Sequence, residues 1–140
     1  MFELFACVSI KEIRQDFLTQ NLIYENFNVS KGELFRKSNE WILETFNFPK
    51  EAIQYSDKEE GIIKLNFTIT NFEPSTYALS YMPTANFSMT IQVKDSKARV
   101  SINAMSAISA SAQGSLNLKN MLSELLQGFE ESLKKEDENW

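Results

Sequence analysis

Ile62-Ile63-Lys64-Leu65-Asn66-Phe67-Thr68-Ile69-Thr70-Asn71 decides the architecture. Ile63, Leu65, Phe67 and Ile69 share one parity, and Lys64, Asn66, Thr68 and Thr70 share the other. A period of two over this length predicts a strand with one face buried and the other wet. The same pattern returns downstream. Phe87, Met89, Ile91 and Val93 point inward against Ser88, Thr90, Gln92 and Lys94. After a tight Asp95-Ser96 hairpin, Ala98, Val100, Ile102 and Ala104 point inward against Arg99, Ser101 and Asn103.

A sheet with one apolar face needs a cover, and two helical patterns supply it. Ser30-Lys31-Gly32-Glu33 has capping-box spacing, with Leu34, Phe35, Trp41, Ile42 and Phe46 then recurring at helical intervals. Lys37, Asn39 and Glu40 are expected to face away, and Pro49 ends the helix near Phe46. A second, longer helix is expected over 116–135, where Leu118, Met121, Leu122, Leu125, Leu126, Phe129 and Leu133 form a wide stripe. Leu22–Val29 reads as a strand whose parity breaks near Glu25-Asn26, as at a bulge. Ala52–Ser56 reads as a short strand with Ile53 and Tyr55 on one face, closed by the polar turn Asp57–Gly61.

Three regions are less regular. Ser9–Leu18 is expected as a short helix or, alternatively, a tether. The 72–84 stretch carries Pro74 and Pro83, with Tyr77, Leu79 and Tyr81 alternating inside it as in an edge strand. Ser106–Ser115 reads as a connector. The expected organisation is an N-terminal segment over 1–19, one domain over 20–136 and a frayed tail over 137–140. The class is α+β with a β-α-β4-α order, a mostly antiparallel sheet and two helices on one face.

With 140 residues, 43% of them hydrophobic, and eleven Phe, the chain can build one core. Its net charge of −5 argues against neutralising a phosphate backbone, so no nucleic-acid partner is expected. With no His and only Cys7, His-based triads, His-containing zinc sites and an intrachain disulfide are excluded. The acids before Gly61 do not match a calcium loop, no loop cradles phosphate, and no pair of carboxylates is placed in a cleft. No enzymatic activity and no cofactor or metal are expected.

No apolar run reaches the roughly 18–20 residues of a transmembrane helix. The start Met1–Val8 lacks the form of a secretory signal, so the chain as written is expected in the cytoplasm. Leu4-Phe5-Ala6-Cys7 nevertheless resembles the end of a bacterial lipoprotein signal. If the natural start lies upstream, Cys7 is a candidate lipid anchor and the cell envelope the alternative location. The plain alternative is a buried free thiol.

Ser30-Lys31, Glu33-Leu34-Phe35, Trp41-Ile42, Phe46 and the strand–turn–strand around Ile53, Asp57, Gly61 and Ile63 carry a family resemblance. From about Leu22 to Ala107 the chain resembles the bacterial domain-of-unknown-function family with a TATA-binding-protein-like (TBP-like) fold. The resemblance implies that architecture, and membership often implies an exported or lipidated envelope protein. It implies no activity. The fold's namesake grips DNA on its concave sheet with basic residues and Phe wedges. Here the outward positions carry three cations (Lys64, Lys94 and Arg99) and no Phe.

The expected function is therefore a non-catalytic binding or scaffold module. Its candidate face is Lys64, Asn66, Thr68, Ser88, Thr90, Gln92, Arg99, Ser101 and Asn103, or a sheet edge, meeting a protein partner or a second copy. The alternative is a carrier of a small apolar ligand between the sheet and the C-terminal helix. A close-packed interface there would reject the carrier, and a cavity of a few hundred Å3 would favour it.

Overall fold

The computed structural model describes residues 11–13, 18–74 and 83–135. In chain order the elements are β1 (Lys11–Ile13), β2 (Gln20–Tyr24), α1 (Lys31–Thr45), α2 (Pro49–Ala52), β3 (Ile53–Asp57) and β4 (Ile62–Ile69). There follow β5 (Ala85–Lys94), β6 (Lys97–Ala104), β7 (Ile108–Ala110) and α3 (Ala112–Lys134). The main sheet is wholly antiparallel, in the order β2-β6-β5-β4-β3. Helix α1 carries the chain from one edge to the other, and the β3–β6 meander walks back until β6 meets β2. This is the expected β-α-β4-α architecture.

The core lies between the sheet's inward face and the two long helices. Phe87, Met89, Ile91, Ile102, Leu118 and Phe129 are each no more than 1% exposed. An aromatic chain crosses it. Tyr24 meets Phe129 at 6.0 Å between ring centroids, and Phe129 meets Trp41 edge-on at 5.0 Å. Trp41 meets Phe46 at 5.7 Å, Phe46 meets Phe67 at 5.5 Å and Phe67 stacks on Phe87 at 5.4 Å. These rings join β2, α3, α1, β4 and β5, and such pairs add about 0.5–1.5 kcal/mol each beyond the area they bury.

Both long helices are fixed at their N-termini. The Ser30 hydroxyl accepts the Glu33 N–H at 3.3 Å, and the Lys31 N–H donates to Asp95 of the β5–β6 hairpin at 2.7 Å. The connection before α1 docks on that hairpin, where Phe27 N–H donates to Ser96 O and Ser96 N–H to Val29 O. Gly61 has φ of 72° and packs on the Val93 backbone, where a Cβ would lie 2.6 Å from the carbonyl oxygen. Only glycine meets both conditions.

Several local expectations are corrected. Lys11–Ile13 forms a strand paired with Ile108–Ala110 instead of a helix, because long-range pairing outweighs a weak local pattern. Ser106–Ser115 is accordingly more than a connector: Ile108 and Ala110 are buried, and α3 begins at Ala112, four residues before the expected start at Leu116. Strand β2 ends at Tyr24, and the parity break comes from Asn26 in the left-handed region (φ 66°) instead of a bulge, turning Phe27 inward. Lys37 does not face solvent. Its stem is buried and its ammonium donates to the Lys135 carbonyl, a cation at the negative end of α3. The remaining part of Ser9–Leu18 before Leu18, residues Tyr77, Leu79 and Tyr81, and the 137–140 tail lie outside the described residues.

Candidate functional site

All nine residues of the candidate face fall on the sheet's outward side. The ladder aligns them into rows. One row runs Asn21, Ser101, Thr90, Lys64 and Tyr55, and the next runs Ile23, Arg99, Gln92, Ile62 and Asp57. Asn103, Ser88 and Asn66 form a third, with Asn86 and Thr68 beyond it. The Thr68 hydroxyl and the Asn86 side-chain carbonyl are 2.7 Å apart. Lys64, Thr68, Arg99 and Asn103 are exposed, whereas Asn66, Ser88, Thr90, Gln92 and Ser101 are half-buried by their neighbours in the ladder. Among the described residues no element crosses this side.

The face is not uniform. Its half towards the β5–β6 hairpin holds Lys64, Lys94, Lys97 and Arg99 with Ile23, Ile62 and Tyr55; the other half is amide and hydroxyl. Ile23 is 65% exposed. The hairpin half also contains a groove of about 300 Å3, where Glu25 and Glu60 line the same walls as Ile23, Lys94, Lys97 and Arg99. The Asp57 carboxylate, which accepts the Glu59 and Glu60 N–H groups, lies 3.3 Å from the Tyr55 hydroxyl. Its charge holds that phenol above the ordinary value.

Sequence reading missed Ile23, Ile62, Tyr55 and Lys97 on this face. The first two were available from parity alone. Tyr55 was not: a register shift between Ile53 and Tyr55 opposes Ile53 to buried Leu65 and Tyr55 to exposed Lys64, so the two residues part company instead of sharing a face.

A second concavity opens at the margin of the core. It is a groove of about 570 Å3 between the end of α1, the free 66–69 portion of β4 and α3, lined by Phe46, Phe48, Phe67, Ile69, Met121 and Leu125. Phe48 is 70% exposed.

Elsewhere, among the described residues, the buried polar side chains have partners. Glu73 accepts the backbone N–H and hydroxyl of Ser111 at the start of α3, and Asn117 Nδ2 donates to the Phe72 carbonyl at 2.8 Å. Among the described residues every buried side-chain N or O has a hydrogen-bond partner, and no three Cys, Asp or Glu side chains converge as metal ligands. Among them, no helix is long and apolar enough to cross a membrane. Cys7 lies outside the described residues.

Solved structures share this arrangement. A TBP-like protein from Parabacteroides distasonis superposes with a TM-score of 0.62 at 12% identity, covering 85% of this chain and 94% of that one. A DUF4468 family protein from Bacteroides ovatus gives 0.61 at 14% identity, covering 86% and 88%. At such identities the likeness speaks for the fold. A comparison with curated proteins gave no match. The family model described as a domain of unknown function (DUF4468) with TBP-like fold matches residues 23–107, and it indicates no catalytic family. With the five-stranded antiparallel sheet, its helical cover and more than half the sequence in agreement, the chain belongs to the DUF4468 family of TBP-like domains.

Proposed function

We propose that this protein is a non-catalytic binding module that docks a protein partner on its open sheet face. The observation behind this reading is the pair of outward rows spanning all five strands, Asn21 to Tyr55 and Ile23 to Asp57, with no covering element among the described residues. Sheet faces of this breadth that carry exposed Ile and Tyr among cations offer the mixed apolar and polar contacts of a protein interface. The test is charge reversal at Arg99 combined with alanine at Thr68, Thr90 and Ser101. Capture of the native partner is lost while the thermal unfolding midpoint holds; unchanged capture rejects the reading.

The marginal groove favours a second reading, a carrier of a small apolar ligand, because seven apolar side chains line it and its volume suits such a ligand. On this reading a fluorescent fatty acid binds, and Leu125→Asp or Phe48→Asp releases it. Binding unaffected by either variant removes the carrier.

A further inference from the structure

The open face has a charge of its own, opposite to that of the chain. Its outward ladder positions hold Lys64, Lys94, Lys97 and Arg99 against Asp57, with Glu25 and Glu60 in the adjoining groove, so the balance stays positive in a protein whose net charge is −5. Several cations on the other side are engaged within the fold. Arg36 spans Glu33 and Glu40 at 2.8 and 2.7 Å, and Lys134 meets Glu130 at 2.8 Å. Lys31 donates to the Glu59 carbonyl and Lys37 to the Lys135 carbonyl. On the face, Lys97 has only a 4.0 Å approach to Glu25, and Lys64, Lys94 and Arg99 have no ion pair among the described residues. Cations left unmatched on a broad surface are complementary to an acidic partner, steering its approach and fixing its register.

From this complementarity we infer that the hairpin half of the open face recognises an extended acidic segment of its partner. The inference rests on the open-face reading and names the partner's chemistry. The spacing fits. Arg99 lies two strands and two residues from Lys64, roughly 12 Å at ordinary sheet dimensions. Side chains four residues apart on an extended peptide are separated by about 13 Å, and those two apart match Arg99 and Lys97 on one strand. Ile23 and Ile62 stand in the Arg99 row and give the cations an apolar setting. A second copy is disfavoured, since face-to-face packing opposes cation to cation. Nucleic acid is disfavoured too, because Glu25 and Glu60 line the groove and Asp57 stands in the Arg99 row, where a continuous run of phosphates would meet them.

The test uses fluorescence anisotropy with the whole chain and three labelled probes: a peptide alternating Glu and Val, its Lys counterpart, and a duplex oligonucleotide. The acidic peptide alone binds. Its affinity falls about tenfold with the double variant Lys64→Gln/Arg99→Gln and again on raising NaCl from about 0.05 to about 0.5 M. Lys50→Gln, on α2, leaves it unchanged. Absence of binding, equal binding of the Lys peptide or the oligonucleotide, or indifference to the double variant overturns the inference. Capture of the native partner separates this failure from failure of the open-face reading. Loss with Thr90→Tyr but not with Lys64→Gln/Arg99→Gln leaves the face standing and removes the acidic partner; loss with neither removes both.

Discussion

Arg99 and Val100 are neighbours in the chain and lie on opposite sides of the sheet. Val100 is 1% exposed beneath the helices, whereas Arg99 stands in solvent. The contrast extends along β4, β5 and β6. On the covered side, apolar area is removed from water and the polar groups that remain are closed by named partners: Ser38 by the Leu34 carbonyl, Lys37 by the end of α3, Ser111 by Glu73. On the open side Lys64, Lys94 and Arg99 have no ion pair among the described residues, and Lys97 only a 4.0 Å approach to Glu25. Stability is concentrated on one face, which leaves the other free to vary without endangering the fold.

The largest effect belongs to the covered face. Trp41→Ala and Phe129→Ala each destabilise by about 3–5 kcal/mol in urea unfolding, since each removes a ring from the aromatic chain and leaves a cavity. Values below about 1 kcal/mol would mean that the helices are not seated on the sheet. Next comes the clamp at the start of α3. Ser111→Ala and Glu73→Ala each cost about 1–2 kcal/mol, because they leave orphan N–H groups at the helix terminus.

A smaller effect is confined to alkaline solution. Burial, reinforced by the Glu130 carboxylate, pushes the Tyr24 phenol from 10.0 to about 12. The folded chain holds that proton more tightly than the unfolded one. The contribution is therefore fully present below pH 10 and is lost as pH rises through 12. Unfolding midpoints measured across this window fall in the parent and fall less in Tyr24→Phe. The smallest effect belongs to the open face: Thr90→Ala with Ser101→Ala changes stability by no more than about 0.5 kcal/mol. A cost as large as that of Ser111→Ala would erase the distinction between the two sides.

The covered face was legible because its signals are periodic. Ile63 to Ile69, Phe87 to Val93 and Ala98 to Ala104 each declare a parity, and a shift of one residue would bury every polar partner. Ser30 and Pro49 bracket α1 for the same local reason. What escaped the sequence depends on distant partners. Helix α3 opens with small residues and no apolar stripe, and the acid that helps to close its cap is Glu73, contributed by the loop after β4 instead of by the third helical position, where Gly114 stands. A Cβ there would overlap the Glu73 carboxylate. Lys37 looked solvated because nothing local reveals the carbonyl of Lys135. Of the candidate site, the nine polar positions followed from parity, while Tyr55 was hidden by a register shift that leaves no mark in residue types.

Thiol labelling across one peptide bond tests the two-sided arrangement most directly. In a Cys7→Ser background, Arg99→Cys and Val100→Cys place a thiol on opposite sides of β6. Arg99→Cys reacts with maleimide at the rate of a free thiol, and Val100→Cys reacts only as fast as the domain unfolds. Equal rates at the two positions would contradict the account.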